Sequence, residues 1–334
     1  MRDYNPHNYM AFKCLSKSPL ITISTFETFG MGLLKLAERV PGLFETTKGL
    51  HLLSLTWNVE RPKILADLVK TIRSAEKAHP GHLFVVLAYS SYASHLLSQE
   101  RVANIVANSS IFVDEAVWHA NRSPSAIVRN DACYVARFHR FKRHELAQKV
   151  NRLSLIFGGA DMEREPDIRK ALPQAAFLNK PTPDSPYSYL GAADILKVLH
   201  ESSVALCLSA EEGFSRTSIE ALMAGLPVVS TRSIGGRDRY YDARYVEIVD
   251  DTPEAVAAGI ERFKAAPINP QAIRAHVGTL LNFDRMNMVT TVNALLRDLF
   301  SDMAPVLSFD DFRDSIHDFQ TLDDYVIALN TAQD

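Results

Sequence analysis

Apolar runs typical of buried strands alternate with helix-like stretches along most of this chain, and this alternation constrains the fold more than any other feature. Neighbouring parallel strands need crossover connections, which are usually helices, so the pattern predicts parallel sheets covered on both faces. The strand-like runs are PLITIST (19–25), GLHLLSLTW (49–57), HLFVVLAYS (82–90), SIFVDEAVW (110–118), DACYVARF (131–138), RLSLIFGG (152–159), AAFLN (175–179), SVALCLSA (203–210), LPVVSTR (226–232) and YVEIVD (245–250). Apolar spacing predicts helices over 62–78, 93–107 and 215–224.

The polar stretch ANRSPSAIVRN (120–130), which contains Pro124, divides these elements into two blocks. A chain of 334 residues also suits two domains of ordinary size better than one. We therefore predict an α/β fold of two doubly wound, Rossmann-like domains that face each other across a cleft, the first domain being small. The predicted ranges are 1–128 for the first domain, 129–300 for the second, and 301–334 for a tail or a helix that packs back on the first domain.

The composition excludes several classes of protein. A formal net charge of -3 gives no global attraction to nucleic acid, and no apolar run approaches the length of a membrane span. Three widely spaced cysteines, Cys14, Cys133 and Cys207, fit neither a disulfide framework nor a zinc cluster. Because the N-terminus also lacks the apolar core of a signal peptide, we expect a cytoplasmic protein. From the near-neutral net charge, we expect that it binds no nucleic acid.

The stretch EEGFSRTSIEALMAGLPVVST (211–231) has the features of an anion site. Its turn follows a predicted strand and precedes a predicted helix, which Thr217 or Ser218 can cap and Gly225 can end. Backbone N–H groups at a helix N-terminus point outward and the helix dipole adds partial positive charge, so such a turn binds phosphate. Gly213 allows the backbone to approach a ligand closely.

Two carboxylates, Glu212 and Glu220, flank this anion site. They are compatible with it if the ligand carries phosphates in its middle and hydroxyls at both ends, because a carboxylate accepts two hydrogen bonds from a vicinal diol. A nucleotide sugar, with its ribose, diphosphate and hexose, has this layout. Alternatively, both residues are solvated surface acids near a helix start, and the stretch alone leaves both interpretations open.

A second segment, DACYVARFHRFKRHELA (131–147), combines a strand that ends at Arg137, a basic turn and a predicted helix. Arg137 and Lys142 lie five residues apart. Two such cations can stabilise the charge that develops on a leaving nucleoside diphosphate. Alone, the segment is equally compatible with a solvated basic patch or an RNA-binding stripe.

Together, the two segments resemble the donor-site motifs of the retaining GT-B glycosyltransferases of glycosyltransferase family four, also called glycosyl transferases group 1. The resemblance extends over roughly residues 131–297. It implies that Glu220 binds the nucleotide ribose and Glu212 contacts donor-sugar hydroxyls. It assigns Arg137 and Lys142 to the diphosphate, so that neither a metal nor another cofactor is expected. Backbone amides that bind phosphate are then those around Phe214, Ser215 and Arg216.

The family also has glycine-bearing loops near the donor, one in each domain. Gly30 and Gly32 of FGMG match the first loosely, and a tight strand-to-helix turn explains them equally well. Gly235 and Gly236 match the second loop. Weaker candidates, each with a structural alternative, are Tyr187 and Tyr189 for the nucleobase, Asp238 for donor or acceptor, Trp57 and Asn58 for the acceptor, and a first-domain histidine among His51, His82, His95 and His119, of which His119 is preferred.

The resemblance implies a retaining transferase that moves a sugar from a nucleoside diphosphate sugar to a hydroxyl of a glycan or glycolipid, as in polysaccharide biosynthesis. A lipid-linked acceptor would bring peripheral contact with the inner face of a membrane. The alternatives are a nucleotide-sugar-binding subunit without transferase activity and a sugar-nucleotide epimerase. A dehydrogenase is disfavoured because FGMGLLKL lacks the third glycine of the dinucleotide-binding motif.

Overall fold

A computed structural model describes residues 9–26, 32–55, 57–122, 127–158, 161–183, 185, 187–313 and 319–331. The chain divides into two compact units. Unit 1 comprises residues 1–112, 235–239 and 282–334, and unit 2 comprises residues 113–234 and 240–281. The observed divisions therefore differ from the predicted ones at 128 and 300, and the loop with Pro124 lies partly outside the described residues.

Unit 1 contains a six-stranded sheet. In chain order its elements are β1 (Tyr9–Lys17), β2 (Leu20–Phe26), α1 (Gly32–Arg39), α2 (Pro41–Thr46), β3 (Gly49–Leu55), α3 (Pro62–Ala78), β4 (His82–Ala88), α4 (Ser91–Gln99) and β5 (Asn104–Val106). Strands β2 to β5 are parallel neighbours in sequential order, and β1 joins β2 in antiparallel orientation. Every residue of β2 and β3 is buried, which indicates that both faces of the sheet are covered.

The C-terminal chain completes unit 1. After α9 (Pro270–Phe300), which crosses the boundary between the units, β12 (Phe319–Thr321) pairs with β1 and α10 (Leu322–Thr331) packs on the sheet. Tyr325 of α10 lies in the core, where its ring meets Phe12 edge to face at 5.1 Å and its hydroxyl accepts a hydrogen bond from the Phe12 N–H. The first domain was predicted to be small because only residues 1–128 were assigned to it. With residues 282–334 included, the two units are similar in size.

Unit 2 is also a six-stranded α/β unit, and all of its strands are parallel. Its elements are β6 (Asn130–Val135), β7 (Leu153–Ile156), α5 (Glu165–Ala171), β8 (Ala176–Phe177), α6 (Ala192–His200), β9 (Ser202–Cys207), α7 (Arg216–Met223), β10 (Val228–Thr231), β11 (Val246–Val249) and α8 (Pro253–Ala265). The order β11-β10-β9-β6-β7-β8 is that of a doubly wound Rossmann sheet. Its winding direction reverses between β6 and β9, and ligands bind at such a point, beyond the carboxyl ends of the strands.

Two predicted elements of the first block are wrong. The helix predicted over 93–107 ends at Gln99, because Arg101 adopts a left-handed conformation (φ 56°) and residues 104–106 pair with β4. The strand predicted over 110–118 is a 3₁₀ turn followed by a loop. The carboxylate of Asp114 accepts a hydrogen bond from the Ala116 N–H, which favours a turn over an extended strand.

No helix in the described part of the chain is both long enough and apolar enough to cross a bilayer.

Candidate functional site

The segment that follows β6 carries the predicted cations Arg137 and Lys142. Residues 140–142 form a 3₁₀ turn, Arg143 is left-handed (φ 50°, ψ 50°), and residues 144–147 form a second 3₁₀ turn. The predicted helix is therefore wrong here, since a left-handed residue interrupts it. The Phe141 ring makes cation–π contacts with both cations: the Arg137 Cζ lies 5.8 Å and the Lys142 Nζ 5.3 Å from its centroid.

The loop that follows β9 is tied to this segment through the backbone. The N–H of Ala210 donates to the Phe141 carbonyl at 2.8 Å. Ile234, beyond β10, donates to the Ala210 carbonyl at 3.0 Å and accepts from the Glu212 N–H at 2.9 Å. Because these bonds fix both loops, the carboxyl ends of β6, β9 and β10 form one connected rim.

This connection brings Lys142 and Glu212 together. Their side chains form an ion pair and are only 14% and 10% exposed. The sequence predicted a role for each residue but did not predict that they contact each other. In the structure, the cation assigned to the diphosphate neutralises the carboxylate assigned to the donor sugar.

Helix α7 begins with Arg216, and Ser215 is its N-cap. The Ser215 hydroxyl accepts a hydrogen bond from the Ser218 N–H, so the predicted cap, Thr217 or Ser218, is wrong by two or three positions. The Ser215 Oγ also lies 3.4 Å from the Cys207 Sγ. The N-terminus of α7 therefore opens beside the end of β9, as an anion site requires.

Glu220 lies one turn into α7 and is 5% exposed. Its carboxylate accepts a hydrogen bond from the Arg216 Nε at 2.7 Å. Burial raises the pKa of Glu220 to about 7, although the Arg216 charge and hydrogen bond oppose this shift. Each of the two carboxylates thus has its own cation, which explains how both are compatible with a phosphate-binding helix N-terminus.

His139 also belongs to this site, although the sequence did not single it out. Its Nδ1 accepts a hydrogen bond from the Phe141 N–H at 3.3 Å. Burial lowers its pKa, and the charges of Asp161, Arg137 and others around it add smaller effects of both signs. Its position in the sequence, between Arg137 and Lys142, was the signal from which it could have been predicted.

The predicted glycine loops belong to the other unit. Gly32 begins α1, and the carbonyl of Gly236 accepts a hydrogen bond from the Asn108 Nδ2, both within unit 1. Gly235 has φ 109°, a conformation that favours glycine. Gly30 lies outside the described residues. The donor-binding role of these four glycines stays a prediction, as does the domain arrangement across a cleft.

The weaker candidates have varied surroundings. His119 lies in unit 2 rather than in the first domain, and its backbone carbonyl accepts a hydrogen bond from His200. Tyr189 is 83% exposed, whereas the Tyr187 ring lies 6.0 Å from that of Phe157. In unit 1, His51 and His82 form a buried hydrogen-bonded pair.

Residues 132–266 match the family model described as "Glycosyl transferases group 1". The chain resembles GT-B glycosyltransferases of group 1. The matched segment spans β6 to α8, and it therefore contains both the Lys142–Glu212 pair and Glu220. This match supports glycosyltransferase activity.

Solved structures show the same fold. Anabaena Alr3699/HepE in complex with UDP and glucose is 16% identical, with a TM-score of 0.53 over 81% of this chain and 76% of that chain. Its complex with UDP-glucose is also 16% identical, with a TM-score of 0.52 over 81% and 77%. An α,α-trehalose-phosphate synthase (UDP-forming) from Burkholderia vietnamiensis is 13% identical, with a TM-score of 0.50 over 79% and 72%. Such identities show the fold alone, which is the predicted α/β fold with two Rossmann-like domains.

None of the curated protein sequences compared with this chain matches it.

Proposed function

We propose that this protein is a retaining glycosyltransferase that moves a sugar from a nucleoside diphosphate sugar to an acceptor hydroxyl. The observation that supports this most strongly is the Lys142–Glu212 pair, which lies at the point where the unit 2 sheet reverses its winding. The N-terminus of α7 opens beside this pair, and Glu220 follows one turn later. Along the chain, Glu212, the turn with its backbone donors and Glu220 therefore follow one another in the order of the hexose, the diphosphate and the ribose of a nucleotide sugar.

In this proposal the diphosphate binds between α7 and the β6 loop. Backbone amides of Phe214, Ser215 and Arg216, beside the buried Gly213, donate to one phosphate, while Arg137 and Lys142 neutralise the other. The Glu220 carboxylate accepts hydrogen bonds from the ribose hydroxyls. When a phosphate of the donor pairs with the Lys142 ammonium in place of Glu212, the Glu212 carboxylate becomes able to accept hydrogen bonds from the donor sugar.

The proposed reaction breaks the bond between the sugar C1 and the β-phosphate oxygen. The acceptor oxygen bonds to C1 on the same face, and its proton goes to the departing phosphate oxygen. Charge grows on that phosphate in the transition state, where Lys142 and Arg137 stabilise it. These cations need no metal partner, so we propose that activity persists when divalent cations are chelated with EDTA.

We propose that UDP-sugars are the first donors to test, because HepE was solved with UDP-glucose and the trehalose-phosphate synthase is described as UDP-forming. The acceptor is proposed to be a sugar of a glycan or of a lipid-linked glycan, bound by unit 1. After β3, Trp57 is half-buried, and Asn58 Oδ1 accepts from the Tyr89 hydroxyl at 2.6 Å and the Glu60 N–H at 2.9 Å. The aromatic ring of Trp57, the amide of Asn58 and the carboxylate of Glu60 are of the kinds that bind sugars. A lipid-linked acceptor would place the protein at the cytoplasmic face of a membrane.

The test is a transfer assay with UDP-glucose, UDP-galactose, GDP-mannose and ADP-glucose against a panel of glycosides. Proton NMR of the product reports the anomeric configuration. An α-linked donor should give an α-linked product together with free nucleoside diphosphate. An inverted product would contradict retention, and donor epimerisation without an acceptor would support the epimerase instead. Donor binding with no transfer to any glycoside would favour a binding subunit.

A further inference from the structure

Arg143, which directly follows Lys142, has an unusual backbone. With φ 50° and ψ 50° it is one of the non-glycine residues in the left-handed region. A side chain there costs about 1 kcal/mol or more, whereas glycine adopts the same conformation freely. Such strain persists only where surrounding contacts hold it in place, and it is concentrated at functional sites.

The Arg143 guanidinium supplies those contacts. Its Nε donates to the Leu208 carbonyl at 2.6 Å, directly after β9, and its Nη2 donates to the Thr231 Oγ1 at 2.5 Å, the last residue of β10. The same Nη2 reaches the Arg232 carbonyl at 3.3 Å, and Nη1 pairs with Asp251, beyond β11, at 2.6 Å. The side chain is only 16% exposed. One planar fork thus joins the carboxyl ends of three parallel strands to the β6 loop.

Lys142 is consequently fixed on both sides. Its carbonyl accepts a hydrogen bond from the Tyr134 hydroxyl of β6, and its N–H donates to the His139 carbonyl at 3.0 Å. On the other side, the side chain of Arg143 ties the residue that follows Lys142 to the ends of β9 and β10. With its backbone held in this way, the Lys142 side chain extends from a fixed Cα position, from which its ammonium reaches the Glu212 carboxylate.

We propose that Arg143 is the positioning residue of this site: its fork across the ends of β9, β10 and β11 holds the Lys142 ammonium opposite Glu212. Arg143 acts through Lys142 rather than on the substrate. The geometric part of this proposal is independent of the proposed function. Its consequence for ligand binding rests on the proposed function, because it requires Lys142 to bind the donor diphosphate.

The first test measures Lys142 itself. Lysine amines in the intact protein are acylated with a limiting amount of acetic anhydride, and mass spectrometry compares Lys142 with the exposed Lys149. Lys142 of the wild type should react slowly, because its amine is paired and mostly buried. Arg143→Gly, which keeps the backbone conformation but removes the fork, should raise the relative rate about tenfold. Arg143→Lys, which keeps one charge without the fork, should raise it less.

The control is Arg244→Gly, which removes another arginine fork of unit 2, the one that contacts Asp242. It should leave Lys142 acylation at the wild-type rate. If Arg143→Gly fails to fold, Arg143→Lys decides the question. Unchanged Lys142 reactivity in the folded Arg143 variants would overturn the proposal.

The second test uses UDP, GDP and ADP as probes in isothermal titration. The diphosphate that binds the wild type should bind Arg143→Gly about tenfold more weakly, because the charged hydrogen bond from Lys142 is no longer in place. Arg244→Gly should bind it normally. If the wild type binds no nucleoside diphosphate, the proposed function fails, and the acylation result still decides whether Arg143 positions Lys142.

Discussion

Units 1 and 2 are both α/β units with six-stranded sheets, but their strand orders differ. In unit 2 all strands are parallel and the order reverses between β6 and β9, whereas the parallel strands β2 to β5 of unit 1 follow one another sequentially. The reversal separates the loops after two neighbouring strands and leaves room for a ligand. The family match and the Lys142–Glu212 pair both lie in unit 2. Within one fold class, the difference in strand order is therefore our reason for proposing that unit 2, rather than unit 1, holds the nucleotide.

Unit 1 carries a different kind of polar cluster, which lies toward the amino ends of its strands. The Phe44 carbonyl can only accept, so His82 must donate to it through Nε2 at 2.8 Å. The His82 Nδ1 then accepts from the His51 Nε2, also at 2.8 Å, and the His51 Nδ1 accepts from the Thr22 hydroxyl at 2.8 Å. Each imidazole is thus held neutral in one tautomer. This cluster lies away from the carboxyl ends of the strands, the end of such a sheet at which ligands bind.

The largest expected effect is at the unit 2 pair. Lys142→Ala removes a cation that stabilises the leaving phosphate and leaves the mostly buried Glu212 without its partner. We expect kcat/KM for the donor to fall about 10²- to 10³-fold. Lys149→Ala, at an exposed lysine of the same unit, is the matched control. Near-normal turnover by Lys142→Ala would break the assignment of donor chemistry to unit 2.

Glu220→Gln should weaken nucleoside diphosphate binding by roughly 10- to 100-fold, because charged hydrogen bonds to the ribose are lost. Burial raises the pKa of Glu220 to about 7, so its carboxylate becomes protonated as the pH falls through that value. Affinity of the wild type should therefore decline below about pH 7, by at most tenfold per pH unit. Titration calorimetry between pH 6 and 8 measures this, and Glu220→Gln should show a flatter profile. A wild-type affinity that rises toward acid would contradict the proposed role of the carboxylate.

The histidine pair predicts an acid sensitivity in unit 1. Burial lowers the pKa of His51 well below its ordinary value and lowers that of His82, and the His79 ring lies 5.9 Å from His82. Below about pH 6.5 the unfolded chain binds protons that the folded unit excludes, so stability should fall by up to roughly 1.4 kcal/mol per pH unit per histidine. Above about pH 7.5 this dependence should vanish.

Hydrogen–deuterium exchange, corrected for intrinsic rates, checks this in peptides that cover β3 and β4. His51→Gln, which cannot be protonated, should reduce the acid sensitivity of those peptides. His144 of unit 2 is a useful comparison, because burial also lowers its pKa, to about 4. Exchange in β3 and β4 that is independent of pH between 7.5 and 5.5 would contradict this account.

The smallest effect compares two helix caps. Ser90 caps α4 of unit 1 and Ser215 caps α7 of unit 2. Replacing either serine with alanine should lower the free energy of unfolding by about 1 kcal/mol. Only Ser215→Ala should also weaken nucleoside diphosphate binding, since only that cap orders a phosphate-binding turn. Equal binding by the two variants would indicate that α7 has no special role.

Local patterns predicted the parallel strands other than β5, and the helix over residues 62–78, because these elements follow apolar periodicity. They also indicated the turn before α7. Features that depend on distant residues were missed. The pairing of Lys142 with Glu212 requires the β6–β9 neighbourhood, and the turn at Arg143 depends on a fork to residues beyond β9, β10 and β11. A helix over residues 301–334 that packs back on the first domain was one of the two predicted alternatives, but the pairing of β12 with β1 and the place of residues 282–300 in unit 1 were not predicted.

The most direct test of the central claim, that the strand reversal of unit 2 holds a nucleoside diphosphate, is hydrogen–deuterium exchange of the full-length protein with and without saturating UDP, GDP or ADP. One of these ligands should protect the segments 137–143 and 207–216, which follow β6 and β9. Protection confined to other segments, or no protection by any of the three, would contradict the claim.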